Sequence, residues 1–212
     1  STVTGFPTSG ETGWSSIFGQ YLDRQIICSD SANKFYVYNI GQETDDSFAG
    51  VYVSTDSGAN FSRVFVGLIG TYGIDSFNAT MSCVPGNAGH LFFTGGAVGG
   101  STTGSFYRST NAGVSWTPLT GVTEVYAFGY GKSLAPGGYP TLFIAGFVGG
   151  TADSDWGIWR SNDADQATPT WTRISDGFPD GNFSIIKAVS GDMNIYGDVY
   201  VGTIGSGFLY GK

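Results

Sequence analysis

Two short segments of this chain spell nearly the same turn. They are Ser54-Thr55-Asp56-Ser57-Gly58-Ala59-Asn60-Phe61 and Ser109-Thr110-Asn111-Ala112-Gly113-Val114-Ser115-Trp116, both fitting Ser-x-[Asp/Asn]-x-Gly-x-x-[Phe/Trp]. A looser third copy, Ser161-Asn162-Asp163-Ala164-Asp165, reaches its aromatic residue only at Trp171, after an insertion. The three serines stand at 54, 109 and 161, so the unit recurs after 55 and then 52 residues. In such a turn the Asp or Asn side chain ties up backbone N–H groups, and the Gly takes a positive φ. The aromatic ring folds back over the turn. A period of this length marks a repeat architecture in which each unit is one supersecondary element.

Each turn follows an aromatic strand pattern: Gly50-Val51-Tyr52-Val53, Ser105-Phe106-Tyr107-Arg108 and Gly157-Ile158-Trp159-Arg160. A second strand pattern lies upstream at 34–39, 90–94 and 141–145. The pattern returns without the turn as Asp198-Val199-Tyr200-Val201-Gly202 and Gly207-Phe208-Leu209-Tyr210. That predicts an all-β fold, a β-propeller of about four four-stranded blades within a single domain, 1–212. The blades fall at about 20–68, 77–120, 125–175 and 184–212. A further strand at 14–18, Trp14-Ser15-Ser16-Ile17, resembles the outer strands Trp116-Thr117-Pro118-Leu119 and Trp171-Thr172-Arg173-Ile174. It is expected to complete the last blade and close a four-blade ring, which would remove exposed strand edges. The competing expectation is part of a larger propeller, with self-association or a missing half.

Composition agrees with many short strands and tight turns: 35 glycines, 16% aromatic residues and only 12% charged ones. The net charge of −8 opposes a nucleic-acid backbone or an anionic membrane surface. No apolar run reaches the ~20 residues of a membrane span. A neutral sugar polymer is compatible, because aromatic faces bind it without charge. Cys28 and Cys83 can pair in an oxidising compartment or stand as two small buried residues. Asn60, Asn78 and Asn182 open N-x-S/T sequons. His90 stands alone, so no metal or cofactor constellation assembles. Arg24, Arg63, Arg108, Arg160 and Arg173 all sit in strand-like runs, which disfavours a carboxylate-binding arginine triad.

The turns match the Asp box shared by several propeller families. The second half of the chain resembles, more specifically, the C-terminal part of glycoside hydrolase family 74, the endo-xyloglucanases. The likeness rests on Phe128-Gly129-Tyr130-Gly131-Lys132, Gly138-Tyr139-Pro140-Thr141-Leu142-Phe143 and Gly157-Ile158-Trp159-Arg160-Ser161-Asn162-Asp163. It continues through Trp171-Thr172-Arg173-Ile174, Gly191-Asp192, Ile195-Tyr196-Gly197-Asp198-Val199-Tyr200-Val201-Gly202-Thr203 and Gly205-Ser206-Gly207-Phe208-Leu209-Tyr210-Gly211. The resemblance implies an extracellular, secreted protein acting on β-glucan of the xyloglucan type. It also implies two tandem propellers with a catalytic Asp near the start of each, and no segment here matches either motif. Ser206 stands where the family commonly has Arg.

If the turns occupy one face, loops between second and third strands share the other face with the connections into the next blade. The first class holds Glu43, Asp45, Asp46 and Phe48, then the Gly/Thr-rich 97–104, then Asp153, Asp155 and Trp156. The second holds Tyr72, Asp75 and Phe77, then Glu124 and Tyr126, then Asp176, Phe178, Asp180, Asn182 and Phe183. An inverting glycosidase needs two carboxyls about 6.5–9.5 Å apart. The candidate catalytic pairs are therefore Asp153 or Asp155 opposite Asp176 or Asp180, against the reading that these are solvated loop acids. Trp156, Phe178, Phe183 and Tyr72 are the candidate sugar-stacking rings, with Asn182 bonding hydroxyls, against loop-on-loop packing. The alternative function is a non-catalytic carbohydrate-binding or structural propeller.

Overall fold

In the computed structural model the described residues are 25–39, 49–67, 69, 79–96, 106–176, 186–205 and 207–212. They form four consecutive antiparallel sheets. The first runs β1 (Gln25–Ser31), β2 (Lys34–Asn39), β3 (Gly50–Ser54) and β4 (Ser62–Val66) in simple meander order. The second follows with β5 (Thr80–Cys83), β6 (Leu91–Thr94), β7 (Phe106–Ser109) and β8 (Thr117–Pro118). The third holds β9 (Val122–Gly131), β10 (Thr141–Val148), β11 (Trp156–Ser161) and β12 (Thr172–Arg173). The fourth is β13 (Ile186–Gly191), β14 (Val199–Thr203) and β15 (Phe208–Gly211). The last repeat has three strands among the described residues, as expected of a unit that stops after its third strand. Strand 14–18 lies outside them.

The second strands of the second and third sheets are buried on both faces. Leu91, Phe92, Phe93 and Thr94 are all fully buried, as are Leu142 to Ala145. A strand covered on both sides reads as a continuous apolar run rather than an alternating one, which is why LFFT and LFIA form the middle of their sheets.

The chain divides into two compact units. The first, Ser1–Phe93 with Tyr107–Thr117, holds the first sheet and most of the second. Its core joins Tyr36, Tyr38, Val51 and Val53 to Met81, Cys83, Leu91 and Phe93. Tyr38 meets Phe93 edge-on at 5.0 Å between ring centroids. A Cys28–Cys83 disulfide links the first strands of the two sheets, its Cα atoms 5.8 Å apart. Nearby, Asp30 accepts bonds from the Tyr36 hydroxyl at 2.7 Å and the Gly89 amide at 2.8 Å.

The second unit, Thr94–Phe106 with Pro118–Lys212, holds the third and fourth sheets. One face of the third, carrying Ala127, Phe143, Ala145 and Ile158, packs on Ile186, Val189, Val199 and Val201. Glycine sets the spacing: a Cβ on Gly129 would fall onto the Val189 carbonyl. The first strands β9 and β13 therefore run close together. On the fourth sheet, Tyr200, Phe208 and Tyr210 stand exposed.

The predicted turns join third and fourth strands. Ser54 Oγ donates to Asp56 Oδ1 at 2.8 Å and accepts from the Gly58 amide at 2.9 Å. Asp56 Oδ1 in turn accepts from the Asn60 amide at 2.9 Å. Ser109, Asn111, Gly113 and Ser115 repeat the arrangement. In the third copy the insertion is looped out, and Asp163 Oδ1 accepts from Thr170 at 2.8 Å instead. The Trp116 indole folds back onto the Gly113 carbonyl at 3.1 Å.

Candidate functional site

The two ends of each sheet are built differently. At one end lie the Asp/Asn turns together with the turns between first and second strands. Ser57 there bonds Asn33, and the Ala112 amide bonds Gly89. The turn side chains that carry the repeat are spent on the protein itself. Asp56 is held down to about 2 by bonds from Asn60 and Ser54. Asp163 is lowered by Thr170 and Ser161, which outweigh the opposing effect of its burial.

The opposite end is described most fully in the third sheet. Gly149, just after β10, donates to Gly121, just before β9, at 2.8 Å. Residues 149–152 lead into a 3-10 turn, Asp153–Asp155, before β11. Asp153 is exposed, whereas Asp155 is half-buried and accepts the Ala152 amide at 3.0 Å. Asp176 is exposed and lies 3.4 Å from the Arg173 guanidinium. The same guanidinium donates to the Ser154 carbonyl at 3.1 Å. Arg173 thus braces the 153–155 turn to the segment carrying Asp176. This brings three of the four candidate acids to one end of one sheet. Asp180, Phe178, Asn182, Phe183 and Tyr72 fall outside the described residues.

Trp156 departs from its predicted loop position. It opens β11, is half-buried, and packs against the core between the third and fourth sheets. It sits on the margin of that core away from the Asp/Asn turns, opposite Phe147 in the β10–β11 register. Glu124 and Tyr126 also depart from the predicted connection: both belong to β9. Glu124 is only 6% exposed. Its hydrogen bond among the described residues comes from the Tyr126 hydroxyl, at a long 3.5 Å. The Tyr126 phenol is raised by burial first, and then by the charge and hydrogen bond of Glu124. Its ring lies 6.4 Å from that of Phe147.

Phe147, which sequence reasoning passed over, stands at this end beside Glu124, which it placed without a role. A signal existed for the second. Glu124 is the one charged residue in the run Val122–Gly131, and an acid inside an apolar strand pattern is rare enough to invite a functional reading. No group of His, Cys, Asp and Glu suited to a metal ion occurs among the described residues.

No protein-family model matches the chain. It is 30% identical over 206 residues to a xyloglucanase from a Paenibacillus species, an alignment covering 97% of this chain and 18% of that protein. A glycoside hydrolase family 74 enzyme from Niastella koreensis shares 31% identity at a TM-score of 0.58, over 84% of this chain and 23% of that one. The family 74 xyloglucanase from Xanthomonas campestris superimposes over the whole chain at a TM-score of 0.68, with 24% identity and 25% of its own length covered. That last likeness speaks for the fold. The chain spans about a fifth to a quarter of the length of these relatives.

Proposed function

The chain fits the C-terminal propeller portion of a glycoside hydrolase family 74 enzyme, and we propose on that footing that it binds β-glucan of the xyloglucan type and contributes to its hydrolysis. One observation carries this reading: likeness to xyloglucanases runs along essentially the whole chain rather than along the repeated turns alone. The four sheets are then blades of a propeller, at about 20–68, 77–120, 125–175 and 184–212. They either close on themselves, with 14–18 completing the last blade, or continue into a larger propeller. The rings of Tyr200, Phe208 and Tyr210 offer a surface for a further blade or a second copy.

Sugar binds at the end of the third sheet opposite the Asp/Asn turns. Trp156 supplies a stacking face there, and Phe178, Phe183 and Tyr72 are the further candidate rings, with Asn182 bonding hydroxyls. If the chain turns substrate over, an acid and a base come from Asp153 or Asp155 opposite Asp176 or Asp180. A general acid works best when shielded from water, and Asp155 is the more enclosed of the first pair. The disulfide supports an oxidising, extracellular location. No helix of the described residues is long and apolar enough to cross a membrane.

The test is incubation of the purified 212-residue chain with xyloglucan, following reducing ends and retained polymer together. Release of oligosaccharides that Asp155→Asn or Asp176→Asn abolishes is the expected result for a hydrolase. Retention without release restricts the function to recognition. A chain that neither retains nor cleaves xyloglucan refutes the reading.

A further inference from the structure

Strand register arranges four side chains at this end into a row. On β10, Phe147 pairs with Trp156 of β11 on one side and with Glu124 of β9 on the other. The β10–β11 register is unbroken from Leu142 to Phe147, so Phe147 shares a face with Ala145 and Phe143. Trp156 likewise shares the face of Ile158. Both belong to the face whose lower part is the core packed on the fourth sheet. On β9 a bulge falls between Val125 and Ala127, leaving Tyr126 as the extra residue. Bulges re-aim a side chain, and this one turns Tyr126 toward Phe147 and back onto Glu124. Gly146 keeps β9 close, since a Cβ there would meet the Glu124 carbonyl.

The result is a strip of three half-buried rings, Trp156, Phe147 and Tyr126, on three neighbouring strands. Adjacent strands lie about 4.8 Å apart, so the strip spans about 10 Å. Its inner end is closed by Glu124, a buried residue whose described hydrogen bonding amounts to one long contact. Such a group is costly unless further donors reach it. Tyr126 and Phe147 stand outside the core shared with the fourth sheet. Their placement is therefore poorly accounted for by packing between those two sheets.

We propose that Trp156, Phe147, Tyr126 and Glu124 form one binding strip for adjoining pyranose rings. The rings stack on the apolar faces of successive β-linked sugars, and Glu124 accepts a hydroxyl of the innermost one. Glu124 is also a positioning residue, because it holds the Tyr126 phenol. The occupant is a neutral glucan: an acidic ligand would meet Glu124, Asp153, Asp155 and Asp176 in a protein of net charge −8. The assignment rests on the functional reading above and adds residues to it that the repeats do not reveal.

The test measures binding of xyloglucan oligosaccharides and unsubstituted cello-oligosaccharides to the 212-residue chain by calorimetry and tryptophan fluorescence. Phe147→Ala and Tyr126→Ala are each expected to weaken binding about tenfold. Glu124→Gln does so by a similar factor and lowers the alkaline titration of one phenol, the one missing in Tyr126→Phe. Trp156 contributes to the core, so Trp156→Phe replaces an alanine variant there, and thermal melting of every variant checks the fold. Wild-type binding that folded Phe147→Ala, Tyr126→Ala and Glu124→Gln variants retain in full overturns the binding strip while leaving the functional reading intact. No binding of either oligosaccharide by the wild type overturns both.

Discussion

Reducing the Cys28–Cys83 bond should cost more stability than any single side chain exchanged on the surface. The bridge closes a loop of 55 residues across the first strands of two sheets. In the chain-entropy account, freeing a loop of that length returns about 14 cal/mol/K to the unfolded chain, about 4 kcal/mol at 25 °C. For a chain of this size each kcal/mol moves the melting temperature by about 2–4 °C, so the expected fall is about 10 °C. The assay is calorimetry of the wild type with and without reductant, beside a Cys28→Ser, Cys83→Ser double variant. Because the bridge lies wholly in the first compact unit, hydrogen exchange should quicken in β1 and β5 first. Amides of β13 and β14, in the other unit, should change least. Equal melting of all three samples would refute the entropic argument. Two titratable thiols in the unreduced, unfolded wild type would refute the bridge itself.

Further outcomes follow from close contacts and charge. Gly129→Ala drives a Cβ onto the Val189 backbone and is expected to cost at least about 1–3 kcal/mol in urea unfolding. Gly202→Ala meets only ordinary contact with Ala188 and should be neutral or stabilising by up to about 1 kcal/mol; equal losses would contradict the close packing of β9 on β13. Acid titration should expose the turn carboxylates. The folded-state value of Asp56 lies near 2, below its ordinary 3.8, so its contribution is complete above about pH 4 and disappears as pH falls toward 2. Denaturation midpoints measured across that window should decline less steeply in Asp56→Asn than in the wild type. Gly113→Ala combines a positive φ of 79° with contact on Val51, and loss of more than about 1 kcal/mol in thermal or urea melts is expected.

How far the fold could be read in advance depended on where local chemistry acts alone. Ser54, Asp56 and Gly58 satisfy one another within five residues, so their turn is written in a short segment and repeats visibly. The strand patterns before the turns are equally local and appear at 50–54, 106–109 and 156–161. Trp156 reads as a loop residue because Asp153 and Asp155 stand beside it. Its role is set by register with Phe147, which short-range pattern does not specify. The bulge that re-aims Tyr126 is likewise a property of pairing with β10. Arg173 reads as one more strand residue, yet it ties Ser154 to Asp176 through contacts made only once the sheet has formed.

That contrast also explains why function is assigned to one end of the sheets. At the turn end Asp56 holds Asn60, Asp163 holds Thr170, and Asp30 holds Tyr36 and Gly89. A ligand would have to displace bonds that shape the fold. At the other end of the third sheet Asp153 is exposed, Glu124 is buried with one long bond among the described residues, and three rings stand half-covered. A sheet that retains such an edge above a well-packed core has polar and aromatic surface left for a partner. A neutral polymer of pyranose rings matches both kinds of surface at once.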